Sequence, residues 1–172
     1  MLLSELPPSE YNPFYRTYIM ALGDVDLFEE LKAGRSDFLS LLEKIPEGKL
    51  HFAYEKGKWT LAESIVHMLD TERIFQYRSL CIARNDKTLL PGFDQDDYVP
   101  FSNPTNRTKN DLIEEYLAVR GATATLFSSF DEEALKRVGT ASGSKISVRA
   151  MGFIISGHQA HHIRIIEERY LS

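Results

Sequence analysis

With 172 residues the chain can bury one sizeable core and falls short of what two usually need, so a single domain over residues 1–172 is expected. Its 43% hydrophobic and 26% charged residues lie in the ordinary globular range, and no apolar run nears the roughly eighteen residues of a membrane span, so no membrane partner is expected. A formal charge of −5, with Lys and Arg scattered, argues against a phosphate-binding face, and no nucleic acid partner is expected. The start MLLSELPPSEYNP lacks the basic and long apolar regions of a signal peptide. The lone Cys81 excludes an internal disulfide framework or a CxxC metal knuckle, so a reducing, cytoplasmic location is expected.

The first twenty residues carry Tyr11, Phe14, Tyr15 and Tyr18 and are expected to pack across the rest as a partial cap. A first helix is then predicted from Asp24 as cap, with Leu27, Leu31, Phe38, Leu41, Leu42 and Ile45 at helical steps until Pro46 and Gly48 stop it, and with Gly34 as a point of bending. A second opens at TLAE, where Thr60 and Glu63 have the spacing of a capping box, and runs to about Arg84. Residues 85–107, with three prolines and no periodicity, are too long for a turn and suit a crossover. A third helix begins at Thr108, with Asp111 closing a second capping box, and presents Leu112, Tyr116, Val119, Thr123, Leu126 and Phe130 on one face. The stretch GTASGSK lacks the spacing and the Gly-Lys pair of a phosphate loop and reads as a linker, after which Ser147 caps a fourth helix running to about Tyr170. The fold class is all-α: a four-helix bundle, up-down-down-up, with the long crossover between helices 2 and 3, which makes helices 2 and 4 antiparallel neighbours.

Three of the five histidines fall within GHQAHHIRII on the fourth helix. Residues four apart on a helix differ by about 40° in direction, so His158 and His162 can aim at one point, on the face that also holds Met151, Ile154, Ile165 and Arg169. His161 lies at the flank of that stripe, as a second-layer or pocket-lining group. Two nitrogens do not make a tight metal site, and His67, two turns into helix 2, is the candidate third ligand, because in an antiparallel pair its height nearly matches that of His158 and His162. His51 has no spacing that ties it to the others.

Other residues carry two readings each. Glu63 lies one turn before His67, but its capping role accounts for it without catalysis. Asp70 either holds the second nitrogen of His67 or is a solvated helix-face carboxylate. Arg169 either binds an anionic substrate or offsets the helix dipole. The stretch DQDDYVPFSNPT lacks the Gly and the closing Glu of a calcium loop, and Cys81 reads as a core residue.

Together KWTLAESIVHMLDTERIF, PGFDQDDY and GFIISGHQAHHIRIIEERY resemble the DinB superfamily of metal-dependent enzymes, the group that includes YfiT-like hydrolases and bacillithiol transferases. The likeness covers most of residues 58–170. It implies a four-helix bundle with a long crossover, a Trp before the second helix, one metal-binding His within it and two more in a G-H-x-x-x-H segment, the places held here by Trp59, His67, Gly157, His158 and His162.

Three neutral imidazoles leave a divalent ion its full charge and an open position, where water or a thiol can be brought toward ionisation near neutral pH. Zinc or nickel is the expected cofactor, and iron also suits the donor type. The function expected is hydrolysis by activated water or S-transfer by an activated low-molecular-weight thiol. The alternative is a non-catalytic bundle that binds a metal or ligand. A small-molecule substrate is the expected partner, with Trp59, His161 and Arg169 as candidates to contact it near the bundle end, and a homodimer is the assembly to test.

Overall fold

The computed structural model describes residues 1–46 and 48–172. Its helices are α1 (Arg16–Met20), α2 (Leu27–Lys44), α3 (Leu61–Ala83), α4 (Gln95–Tyr98), α5 (Lys109–Ser128), α6 (Glu132–Lys136) and α7 (Val148–Arg169), with a hairpin of β1 (Val138–Ala141) and β2 (Ser144–Ser147) before α7. The four long helices form the bundle. α2 and α3 each pack on both α5 and α7, which places α2 diagonal to α3. Side-chain pairs fix the directions. Lys44 meets Glu167, so α2 and α7 end together, whereas Trp59 meets Tyr170 and Ser79 meets Met151, so α3 and α7 are antiparallel. Arg73 meets Glu115 and Gln76 meets Thr123, so α3 and α5 run together, and the order is up-down-down-up as expected.

Local chemistry sets the ends. In α3 the Thr60 hydroxyl accepts from Glu63 N at 3.2 Å while Glu63 Oε2 accepts from Thr60 N at 2.7 Å, and Thr108 with Asp111 repeats this reciprocal box at α5. Ser147 Oγ accepts from Ala150 N at 3.1 Å and caps α7. The cap of α2 differs from the expectation. Asp26, directly before the buried Leu27, accepts from Phe28 N and Glu29 N, and Asp24 instead accepts from Ser4 N. α2 stops at Lys44 because Ile45 precedes Pro46 and takes an extended conformation. On α5, Phe127 rather than Leu126 takes the fully buried place, edge-on to Phe130 just past the helix end.

The stretch read as a linker is a strand pair. Ala141 pairs with Ser144, so Ser142 and Gly143 form a two-residue turn, with φ of 51° and 73°. Both angles suit the right-handed twist of the strands, and Gly143 takes its conformation without the Cβ penalty. This hairpin also pins the crossover. Leu90 bonds Thr140 O at 3.0 Å and accepts from Ser142 N at 3.1 Å.

The core has two apolar halves. One gathers Leu27, Leu31, Phe75, Phe127 and Phe153; the other gathers Phe38, Leu41, Leu69, Leu112 and Ile166. Between them along the helices lies a buried polar layer. Arg120 makes two bonds of 2.8 Å to the Glu72 carboxylate and one of 2.6 Å to Gln159 Oε1, and Gly34 O accepts from Tyr116 OH and Gln159 Nε2. Gly34 has a packing role in this layer. A Cβ there would collide with the Arg120 guanidinium, so the glycine makes room for the layer.

Candidate metal centre

His67, on α3, and His158 and His162, on α7, converge where these antiparallel helices face each other. His67 Nε2 lies 3.0 Å from His158 Nε2, which lies 3.1 Å from His162 Nε2. All three ligand atoms fall within 4.8 Å of one another, and among the described residues no other His, Cys, Asp or Glu joins the group. The expected height match between α3 and α7 holds. It is secured by Tyr170, whose hydroxyl donates to Trp59 O at 2.7 Å and meets Ser64 Oγ, tying the end of α7 to the start of α3.

Burial governs the protonation of the three rings. It pulls His67 down to about 4 and His162 to about 3, and holds His158 well below its ordinary value, with the neighbouring imidazoles adding repulsion at His158 and His162. All three are neutral at pH 7. A neutral imidazole nitrogen can donate or accept but not both, so three nitrogens facing one point cannot satisfy each other. A divalent cation can take all three lone pairs, and nitrogens sharing one tetrahedral ion at about 2.05 Å sit roughly 3.3 Å apart, close to the 3.0 and 3.1 Å of the two pairs that His158 makes. The donor set fits a divalent transition metal.

The cluster separates two cavities. One, of about 580 Å³, is reached by His67 and His158 and walled by Tyr15, Tyr18, Arg78 and Phe93. The other, of about 410 Å³, is reached by His162 and His161 and walled by Trp59, Ile165 and Tyr170. Asp96, from α4 in the crossover, lines both. Trp59 packs on His67 with ring centroids 4.9 Å apart while bordering the smaller cavity. His161 sits edge-on to Tyr18 at 5.1 Å, and Tyr18 also covers His158 at 5.5 Å, so the aromatic N-terminal segment does cap the site. Gly157 permits this approach, since a Cβ there would collide with the Tyr18 carbonyl.

Several expected residues lie elsewhere. Arg169 is exposed and lines neither cavity, at a helix C-terminus where a cation is favourable. His51 is exposed in a separate cleft beside Arg107 and Lys109. Glu63 is engaged by its capping box. Asp70 faces Arg73 at 3.6 Å, and the group beside the outer nitrogen of His67 is instead Thr71, with Oγ1 at 3.5 Å from Nδ1. Thr71 follows His67 by four residues, which keeps it on the same face, whereas Asp70 is turned aside. The sequence reading placed access at the bundle end near Trp59. The larger cavity is lined instead by Gly92–Asp96 of the crossover, which follow the Leu90 that the hairpin pins. Arg78, Phe93 and Asp96 are wall residues that sequence spacing does not reveal, since a loop's docking place has no periodic signal.

An up-down-down-up bundle with a histidine triad between its second and last long helices defines a class of metal-site helical proteins. The sequence model of the DinB superfamily matches residues 30–166, and the chain belongs to that superfamily. No curated protein matches it at a significant level. Among solved structures it is similar to YfiT from Bacillus subtilis, described as a probable metal-dependent hydrolase with an unusual four-helix bundle topology, at 14% identity and a TM-score of 0.74 over 95% of this chain and 90% of that one. At that identity the likeness supports the fold. No helix of the described residues is long and apolar enough to cross a membrane.

Proposed function

We propose that the chain is a metal-dependent enzyme acting on a small molecule, with His67, His158 and His162 holding a zinc or nickel ion. The observation that carries this reading is the convergence of three neutral, mutually unsatisfiable imidazole nitrogens at a point that two cavities reach. Structural sites close with four protein ligands, and only three groups gather here among the described residues, which favours the enzyme over the non-catalytic bundle. A divalent ion so held supplies Lewis acidity, bringing water or a thiol toward ionisation near neutral pH. The chain's own residues do the rest. Tyr18 and Trp59 limit water on either side of the triad, and Asp96, which lines both cavities, is the candidate proton acceptor.

Hydrolysis is the leading reading, supported by the description of YfiT. Transfer from a low-molecular-weight thiol is a second, favoured by the two cavities, which give two reactants separate approaches. Either activity suits a cytoplasmic setting.

Purified protein is expected to carry about one divalent transition ion per chain. His158→Ala should lose most of it and His51→Ala none, measured by elemental analysis. Equal content in the two variants would overturn the metal centre. Metal-loaded protein screened against esters and amides, and against thiol and electrophile pairs, separates the two reactions.

A further inference from the structure

Among the described residues three arginines are buried, and two of them have a carboxylate. Arg120, 2% exposed, pairs with Glu72, and Arg149, 6% exposed, pairs with Glu10 through two bonds. Arg78, 3% exposed, does not. Its Nη2 donates to Pro91 O at 2.6 Å and to Ser142 Oγ at 3.2 Å, and no carboxylate pairs with it among the described residues. Its Nε and Nη1 make no hydrogen bond there, yet neither is a fully enclosed atom. The guanidinium lies over the rings of Phe75 and Phe93, 5.4 and 5.8 Å from their centroids, which fixes the fork without using its donors.

A buried cation with no counter-ion is costly, and burial accordingly lowers the Arg78 pKa, though a guanidinium stays charged at neutral pH. That cost is recovered if an anion arrives from outside. Arg78 lines the larger cavity, the one His67 and His158 also reach, as well as a smaller one beside Tyr77 and Tyr98.

We propose that Arg78 is the anchor for a monoanionic substrate whose carboxylate pairs with the guanidinium and whose apolar body runs past Phe75 and Tyr15 toward the histidines. Arg78 and His67 share α3 eleven residues apart, a rise of about 16 Å, which the lean of side chains toward the helix N-terminus and the length of the arginine shorten to roughly 10 Å. The ligand is therefore elongated, with its reacting group far from its carboxylate. Asp94 and Asp96 line the same cavity and disfavour a second negative charge. The location of the reacting end rests on the metal-enzyme reading above; the anchor does not.

The test titrates 4-phenylbutyrate and its neutral amide, 4-phenylbutyramide, into the protein as purified and after chelator treatment, reading calorimetry and the Arg78 Nε–H resonance of labelled protein. The acid should bind roughly tenfold or more tighter than the amide in both forms, as one charge-assisted contact allows, and should shift that resonance. Arg78→Gln should abolish the preference and Arg78→Lys keep part of it, with metal content unchanged in both. Equal binding of acid and amide in stripped protein, or a preference that survives Arg78→Gln, overturns the anchor. A preference seen only in metal-loaded protein also overturns it, placing the carboxylate on the ion and leaving the metal reading intact. If the preference holds and no metal is found, the anchor stands and the metal-enzyme reading falls. Should Arg78→Gln not fold, the wild-type comparison and the resonance decide.

Discussion

The middle of the bundle holds two buried polar groups side by side, and they are finished differently. Around Arg120 the donors of the guanidinium, of Gln159 and of Tyr116 find Glu72 and the carbonyls of Leu31 and Gly34, and the space left next to them is about 10 Å³, at the limit for one water. Around His158 the three ring nitrogens find only one another, and about 580 Å³ and 410 Å³ of space lie against them. A set that closes on itself specifies packing; a set that stays open is kept for something that arrives. Both cost desolvation, so the difference lies in whether the protein supplies the compensation.

Breaking the closed set should have the largest effect on stability. Arg120→Ala leaves the Glu72 carboxylate buried without its partner and is expected to cost about 3–5 kcal/mol in urea unfolding. Tyr116→Phe removes one hydroxyl donor and should cost about 1 kcal/mol. His158→Ala in metal-free protein should lose less than half of what Arg120→Ala loses, because its ring nitrogen has no full partner to strand. Similar losses for Arg120→Ala and His158→Ala would erase the distinction.

Acid should find the open set. The folded-state pKa of His67 lies at about 4, below the roughly 6.5 of an unfolded imidazole, so between these values the unfolded chain binds more protons. Stability from this residue is therefore complete above about pH 6.5 and lost as pH falls, by about 2 kcal/mol at pH 5, levelling off near pH 4. His162, pulled to about 3, adds to the loss in the same direction. Metal-free protein should show it as a falling urea midpoint between pH 7 and 5, with a shallower fall in His67→Gln. A midpoint flat across that range, or an unaltered slope in the variant, would mean the rings are not held neutral.

Much of the bundle could be read from residues that act locally. Thr60 with Glu63, Thr108 with Asp111, and Ser147 announce helix starts because a cap is a contact within one turn. The triad was legible for a related reason: His158 and His162 share a helix face by spacing, and one antiparallel pairing brings His67 to their height. What escaped depends on contacts between distant segments. Residues 142–143 form a hairpin turn whose Ser-Gly pair was a usable signal, but its docking on Leu90, and hence the wall of the larger cavity, follows from tertiary pairing alone. Helical spacing puts Arg78 on much the same face as His67 and says nothing of its partners. Its lack of a carboxylate became visible once Arg120 and Arg149 had found theirs.

The smallest expected effect concerns how His67 is held. A metal-binding imidazole gains from a partner on its outer nitrogen, which fixes ring orientation and tautomer. Thr71 Oγ1 is that partner by position, at 3.5 Å from Nδ1, whereas the Asp70 carboxylate is drawn toward Arg73 and away from the triad. The contact is long for a hydrogen bond, so its contribution belongs at the weak end of outer-partner effects. Thr71→Val, which keeps the shape and removes the hydroxyl, should therefore weaken metal affinity by about tenfold or less, read by competition with a chromogenic chelator. Asp70→Asn should leave that affinity within error of wild type. The reverse result, a loss in Asp70→Asn and none in Thr71→Val, would mean that the Asp70 side chain turns to the imidazole when the ion binds, and the open set would then borrow a carboxylate from the surface of α3.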